Sequence, residues 1–433
     1  MSRTILRGRV LSFVSAPQGL DDDASYRYLE DGAITIEGGR IVAVGDFDAA
    51  SAGEAEVIDH RPHLILPGFI DMHLHYVQSQ MIASYAGSLL EWLNTYTFVE
   101  EQKFSQQGHA GAVAAAFYDE LIRHGTTTAV AYCSSHPASV DAYFAEAERR
   151  NMLMIGGKVM MDRNAPEALC DTAQSGYDDT KMLIERWHGR GRGLYAISPR
   201  FAITSTPAQM DAARALVAEH PDCYVQTHLS ENAAEITYSM ELYPSSPDYT
   251  GIYQDYELLG PKTLLGHCIH LNHRETRVLC ETGAVAVFCP TSNLFLGSGL
   301  FDRERLLKGG VRIGIATDIG GGTSYSMLAT LSEGYKILQL RGQRLTPFNS
   351  FYMMTLGNAR ALGLEGTIGA IEPGCAADLV VLDAAATPAL ALRMATVKTL
   401  AEELFLLQTL GDDRAIAEVY VAGARAKSTL GGL

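Results

Sequence analysis

The chain has 433 residues, of which 47% are hydrophobic and 19% charged, so it can bury a large core and is not intrinsically disordered. Fifty acidic residues against 34 basic ones give a net charge of −16, which argues against nucleic-acid or anionic membrane partners. No apolar run approaches the roughly 18 residues of a membrane span. The seven cysteines are scattered without a CxxC pair, a pattern typical of reduced thiols. We therefore expect a soluble cytoplasmic protein.

Strand-like patterns occupy the two ends of the chain. Residues 33–37 and 40–45 flank Gly38-Gly39, a pair typical of a two-residue hairpin turn. Residues 378–383 (DLVVLD) and 417–422 (AEVYVA) have the same character. The similar strand-like patterns at the two ends predict one small β domain assembled from both termini.

The middle of the chain alternates short apolar runs with amphipathic stretches, which predicts parallel βαβ units. Helices are expected at 111–124, 139–150, 179–190 and 206–220. Eight runs fit the strands of a (β/α)₈ barrel: LPGFIDMHLH, TTTAVAYC, MLMIGGKVMMD, GLYAISPRF, YVQTHLSE, TLLGHCIHL, AVAVFCPTSN and VRIGIATDIG. The predicted fold is thus α/β: a TIM-like barrel over residues 66–370, with a small β-sandwich domain formed by residues 1–65 and 371–433.

Several of these runs end on a polar or metal-ligating side chain. Barrel enzymes place catalytic groups at the carboxyl ends of their strands, so these side chains are expected to converge on one mouth. They are His73, His75, Arg200, His228, Glu231, His267 and Asp318.

The histidines among them indicate a metal site. His73 and His75 are two residues apart on a strand, so both imidazoles point the same way. Together with His228, His267 and Asp318, they offer the nitrogen and oxygen ligands that suit Zn²⁺ with room for a water. The alternative, separate core histidines with hydrogen-bond partners, is less favoured because each lies at the end of a predicted parallel strand.

The motifs also resemble a known family. PGFIDMHLH (67–75), with the later histidines and Asp318, resembles the amidohydrolase superfamily, and more narrowly the guanine deaminase family. The matching segments span the chain and are LLEWLNTYTF, GKVMMDRNAP, SPRFAITSTP, QTHLSEN, FCPTSNLFLGSGLF, ATDIGGGTSYSML and LGNARALGL.

The resemblance implies one zinc ion per chain, held by His73, His75, His228 and Asp318, with His267 contacting the water that the zinc activates. The predicted fourth strand, GLYAISPRF, has no lysine that could bridge a second metal. Lys158 lies in the third run and is interpreted as structural or supporting.

The resemblance further implies hydrolysis of guanine to xanthine and ammonia by a homodimeric enzyme. Glu231 would shuttle protons, Asp318 would act as base towards the water, and His267 would stabilise the oxyanion. The residues implied to contact the base are Gln78, Arg200 and Phe201, while Trp92 and Leu93 fit either the pocket or the core.

Two alternatives remain at this point. One is a deaminase or chlorohydrolase of another heterocycle, such as 8-oxoguanine, a pterin or a triazine, since these share the metal groups. The other is a non-catalytic scaffold, which is disfavoured because every metal ligand is intact.

Overall fold

The computed structural model describes residues 3–50, 52–85 and 88–430, and its strands form two sheets. The barrel sheet runs in the order β5-β6-β7-β9-β10-β11-β12-β13, with the short β8 paired to β9. Its strands are β5 (Phe69–His75), β6 (Thr126–Tyr132), β7 (Leu153–Gly157), β8 (Val159–Met160), β9 (Gly193–Pro199), β10 (Tyr224–Leu229), β11 (Thr263–His267), β12 (Val285–Phe288) and β13 (Arg312–Ile315).

All eight predicted strand runs lie in this sheet, and its neighbouring strands pair in parallel. The segment that follows β13 lies beside β5, where the backbone amide of Asp318 donates to the carbonyl of His73 at 2.9 Å. This contact joins the two edges of the sheet and confirms the predicted barrel.

The second sheet comes from both ends of the chain, as predicted, in the order β16-β15-β14-β4-β1-β2-β3. The turn at Gly38-Gly39 joins β2 to β3, and both glycines adopt the positive φ that such a turn requires. The domain boundaries at residues 65/66 and 370/371 stay a prediction. The strands of this sheet are β1 (Thr4–Phe13), β2 (Tyr26–Glu37), β3 (Arg40–Asp46), β4 (Glu56–Pro67), β14 (Leu379–Leu382), β15 (Ile416–Val421) and β16 (Ala424–Arg425).

Helices separate most of the barrel strands and cover the outside of the sheet. No helix of the described ranges is long and apolar enough to cross a membrane. The helices are α1 (Leu89–Trp92), α2 (Phe98–Glu101), α3 (Gln107–Arg123), α4 (Pro137–Arg150), α5 (Ala173–Trp187), α6 (Pro207–Glu219), α7 (Ala233–Leu242), α8 (Tyr249–Asp255), α9 (His273–Thr282), α10 (Pro290–Phe295), α11 (Arg303–Lys308), α12 (Met327–Leu340), α13 (Pro347–Tyr352), α14 (Asn358–Leu362), α15 (Pro388–Met394) and α16 (Leu400–Leu410).

Two details differ from the sequence analysis. Helix α5 begins at Ala173 rather than 179, because Thr172 and Ser175 form a capping box that starts the helix before its apolar periodicity becomes visible. Helices α15 and α16 lie within the C-terminal stretch that the sequence analysis describes as β-rich. The buried residues Leu404 and Leu407 of α16 join the large core cluster, which also includes Leu331 of α12.

Candidate active site

The polar strand ends do meet at one mouth, around a pocket of about 400 Å³ of empty space. Every residue predicted to bind metal, protons or base lines it or lies directly behind it. The residues that line it are His75, Gln78, Leu89, Trp92, Leu93, Arg200, Phe201, His228, Glu231, His267, Leu296, Asp318 and Gly321. Trp92 and Leu93 therefore face the pocket as well as a small apolar cluster.

Three of the predicted metal ligands, His73, His75 and His228, bring ligand atoms within 4.8 Å of one another, and Asp318 lies beside the first two. The Nε2 atoms of His75 and His228 are 3.2 Å apart. Asp318 Oδ1 lies 3.3 Å from His73 Nε2 and 3.6 Å from His75 Nε2. A tetrahedral zinc ion with bonds of about 2.0–2.1 Å would separate its ligand atoms by about 3.3–3.4 Å, so these spacings suit one ion at their centre.

The protonation of these histidines also suits a metal. His228 Nδ1 lies 2.7 Å from the carbonyl of Arg200, and donating to that oxygen leaves Nε2 with a lone pair towards the site. His73 Nε2 is buried and has no hydrogen-bond partner within the described part of the chain. Burial lowers the pKa of His75 and of His228 well below the usual range, which keeps both imidazoles neutral. Neutral buried imidazoles that face one another fit a bound cation.

A cysteine also lies close to the candidate metal site. One ligand atom from each of Cys289, His73, His267 and Asp318 lies within 4.8 Å of the others. Burial raises the pKa of its thiol well above the usual range, and Sγ contacts the carbonyl of Val287 at 3.5 Å. The thiol can donate to that carbonyl oxygen, and we favour the histidine and aspartate set as the candidate metal site.

Glu231, His267 and Asp318 form the other side of the mouth. His267 Nε2 is 3.4 Å from Glu231 Oε2 and 3.8 Å from Asp318 Oδ2. Asp318 thus turns one oxygen to the histidine ligands and the other to His267. Burial raises the pKa of Glu231 to about 7, a value at which a carboxyl group both gives and takes protons near neutrality.

The electrostatics divide these three groups. Although burial disfavours its charged form, the contact with His73 and the positive charge that His267 is inclined to carry lower the pKa of Asp318 to about 2. Burial likewise opposes protonation of His267, but the carboxylates of Glu231 and Asp318 raise its pKa above the usual value. The site therefore combines a permanent carboxylate, a protonatable carboxyl group and a histidine inclined to carry a proton.

The segment FCPTSNLFLGSG orients two of these side chains. Asn293 Oδ1 lies 3.0 Å from His267 Nδ1 and can accept a hydrogen bond from it, while Ser298 donates from Oγ to Glu231 Oε1 at 3.0 Å. His267 and Asp318 adopt positive φ values of 74° and 55°, backbone strain of a kind that clusters at functional sites. The segment FCPTSNLFLGSG, which the sequence analysis identifies only by its resemblance to a family motif, thus positions the side chains of His267 and Glu231.

The residues predicted to contact the base belong to the same pocket. Gln78, Arg200 and Phe201 line the pocket together, and Phe201 meets the imidazole of His228 edge-on at 6.2 Å. Leu89, Trp92 and Leu93 complete an apolar wall. One face of the pocket is therefore flat and apolar, and its edge carries an amide and a guanidinium group.

Sequence reasoning missed two residues here. Tyr132, at the end of β6, stacks on His75 with ring centroids 4.5 Å apart. Glu101, at the end of α2, is fully buried and bonded to both Gln78 and Arg200. Neither belongs to a motif that sequence reasoning recognised, and Glu101 lies among the polar residues of FVEEQK.

Lys158 is fully buried and pairs with Asp171 at 2.5 Å. Its amino group also contacts the carbonyl of Val159 at 3.3 Å. These contacts support the interpretation of Lys158 as a structural residue rather than a metal bridge.

A parallel barrel with three histidines and an aspartate gathered at its mouth defines a metal-dependent hydrolase. The chain belongs to the amidohydrolase family, whose sequence model matches residues 64–425. It is 46% identical over 419 residues to guanine deaminase of Escherichia coli (strain K12), covering 95% of each chain.

Solved structures of similar proteins agree. The structure of the E. coli guanine deaminase matches with a TM-score of 0.95 at 45% identity, covering 98% of this chain and 99% of that one. A guanine deaminase of C. acetobutylicum, solved with guanine bound in its active site, matches with a TM-score of 0.87 at 28% identity, covering 98% of this chain and 100% of that one.

Proposed function

We propose that this chain is a guanine deaminase that hydrolyses guanine to xanthine and ammonia at one zinc ion. The observation that supports this most is that the candidate metal ligands and the candidate base-binding residues Gln78, Arg200 and Phe201 meet at one pocket. The likeness to guanine deaminases over nearly the whole chain supports the same substrate. A deaminase or chlorohydrolase of another heterocycle is not favoured. A triazine hydrolase of similar structure is 21% identical, which shows the fold alone, whereas the E. coli guanine deaminase is 46% identical over nearly the whole chain.

The zinc ion would be held by His73, His75, His228 and Asp318. Bound there, it would lower the pKa of a water molecule towards neutrality and so make a nucleophile available at physiological pH. We propose a single ion because Lys158, the lysine considered as a bridge to a second metal, forms an ion pair with Asp171 instead.

Three side chains would then handle the protons. Asp318 Oδ2, turned away from the histidine ligands, takes a proton from the attacking water. Glu231 delivers its proton to the ring nitrogen beside C2 as the C–O bond forms. It then takes the proton of the new C2 hydroxyl group and passes it to the amine, so that C2 keeps a carbonyl oxygen, the C–N bond breaks and ammonia leaves. Asp318 returns the proton that it took from the water to Glu231, which restores both groups. His267 donates from Nε2 to the oxygen that bears the developing charge.

Recognition of guanine would fall to the opposite wall. Arg200 donates only, which suits the 6-oxo group, while Gln78 both donates and accepts, which suits the rest of a purine edge. Phe201 packs against the ring. Adenine has no 6-oxo group, so it leaves the arginine unpaired.

The test is ammonia release by the zinc-loaded protein from guanine, adenine, cytosine and 8-oxoguanine. We expect kcat/KM for guanine to exceed that for adenine by at least about 10³, since a site built to hydrogen-bond a substrate group rejects analogues that lack it. Comparable rates on two of these bases, or no rate on guanine, would contradict the proposed function.

We also propose that the enzyme works as a cytoplasmic homodimer. The seven cysteines are free thiols, which supports a reducing compartment. Sedimentation at micromolar concentration should give twice the mass of 46.9 kDa, and a stable monomer would contradict this part of the proposal.

A further inference from the structure

We propose that Glu101 is a positioning residue that sets the direction of both base-binding side chains and thereby makes the 6-oxo group of the substrate a requirement. This inference rests on the proposed function, because it concerns how the same pocket selects its base. Glu101 does not line the pocket. It acts from behind, through Gln78 and Arg200.

The carboxylate of Glu101 divides its two oxygens between two donors. Oε2 accepts from Arg200 Nη1 at 2.7 Å, and Oε1 accepts from Gln78 Nε2 at 2.9 Å. The exposed fractions of the Glu101 and Arg200 side chains are 0% and 3%. A charge-assisted pair at this depth is strong because solvent does not compete for either partner.

These contacts fix which way the amide of Gln78 points. The backbone amide of Gly320 donates to Gln78 Oε1 at 3.2 Å, while Nε2 donates to Glu101. If the amide flipped, its NH₂ group would face the N–H of Gly320 and its oxygen would face a carboxylate. Glu101 and Gly320 together therefore leave one orientation, with one N–H and one lone pair remaining for a substrate.

Helix α2 holds the guanidinium of Arg200 on a second side. Phe98 lies three residues before Glu101, so both side chains share one helix face. The Phe98 ring centroid is 5.4 Å from the guanidinium carbon of Arg200. With one edge paired to Glu101 and one face against an aromatic ring, the remaining N–H groups of Arg200 have a fixed direction towards the pocket.

A change of Glu101 to glutamine tests this arrangement with almost no change of shape. An amide offers one oxygen where the carboxylate offered two, so one of the two contacts would set an NH₂ group against a donor. Either Gln78 or Arg200 must then move. The site would lose the defined donor that meets the 6-oxo group, while its apolar walls and metal ligands would stay in place.

The experiment compares guanine with 2-aminopurine, which has the same amine at C2 but no 6-oxo group. Values of kcat/KM and zinc content are measured for wild type, Glu101→Gln and the control Glu100→Gln. Glu100 neighbours Glu101 on α2 but pairs with Lys103 at 2.6 Å, away from the pocket.

In Glu101→Gln we expect the guanine to 2-aminopurine ratio of kcat/KM to fall by about 10- to 100-fold, the value of one hydrogen bond to a charged group. The fall should come from guanine alone, with one zinc retained, and Glu100→Gln should keep the wild-type ratio. An equal loss of kcat/KM on both substrates would mean that Glu101 only supports folding. Wild-type values on both would mean that Glu101 does not orient Gln78 and Arg200. Either result overturns the inference.

A second variant covers the case in which Glu101→Gln does not fold. Glu101→Asp keeps the charge beside Arg200 but is one methylene shorter, so it cannot reach both partners. It should lower the guanine to 2-aminopurine ratio of kcat/KM, by a smaller factor than the one expected for Glu101→Gln. A wild-type ratio in Glu101→Asp would also overturn the inference. If wild type itself releases no ammonia from guanine, the proposed function fails instead, so the two failures are distinguishable.

Discussion

The two walls of the pocket are built in different ways. The proposed metal-binding wall (His73, His75, His228 and Asp318) comes from strand ends and the residues directly after them, in a barrel whose geometry fixes their directions. The proposed base-binding wall (Gln78, Arg200 and Phe201, with Glu101 directly behind it) combines the residues after strand β9 with two helical segments outside the sheet, Tyr76–Met81 and Phe98–Glu101. In the first wall the fold positions each side chain. In the second the side chains position one another through hydrogen bonds.

This difference predicts how each wall fails. Removing a metal ligand should abolish the chemistry for every substrate, whereas disturbing the base-binding wall should change which substrate is accepted.

The largest effect is expected from His228→Ala. The variant loses a ligand whose Nε2 lies 3.2 Å from that of His75, so it should bind zinc poorly. A catalytic metal contributes several kcal/mol, which corresponds to a loss of at least about 10³-fold in kcat/KM. Elemental analysis and ammonia release check both effects, and full activity in a zinc-free variant would contradict the assignment.

Glu231→Gln should come next. Glutamine keeps the contact with Ser298 but cannot carry a proton, so kcat should fall by roughly 10²–10⁴-fold. Zinc content should not change, because Glu231 contacts His267 rather than the ligand set. Activity within tenfold of wild type would remove Glu231 from its proposed role.

A smaller loss is expected from Asn293→Ala, which removes the partner of His267 Nδ1. Residues that orient a functional histidine in this way typically contribute about 10- to 100-fold. Leu294→Ala is the matched control, since Leu294 is the next residue on α10 and is 38% exposed. Equal activities of the two variants would show that the orientation of His267 does not depend on Asn293.

The smallest effect on activity is expected from Lys158→Met. The variant leaves Asp171 without its buried partner, so the free energy of unfolding should fall by about 3–5 kcal/mol. Zinc stoichiometry and KM should remain those of wild type, because Lys158 does not line the pocket. Denaturant unfolding and metal analysis measure both, and a lower zinc content in the folded variant would point to a metal-bridging role.

The same contrast explains what the sequence could predict. The period-two spacing of His73 and His75, and the strand-ending histidines after them, follow from regular strand geometry, so the barrel and the candidate metal-binding residues at its mouth are visible in the pattern. The order of the terminal sheet, with β1 between β4 and β2, depends on pairings between distant segments and has no local signal.

Glu101 was missed for a related reason. It lies in FVEEQK, where a helical pattern predicts an exposed glutamate as readily as a buried one. Its role depends on Arg200, 99 residues later, and on the turn at Gly320. The start of α5 was missed because a capping box, rather than apolar periodicity, determines it.

The most direct test of the central claim, one zinc ion serving one deamination site, is a metal titration. Protein stripped with a chelator is titrated with Zn²⁺ while ammonia release from guanine is followed. We predict that activity rises linearly and stops rising at one zinc per chain. Activity without metal, or a rise that continues to two ions per chain, would contradict the account.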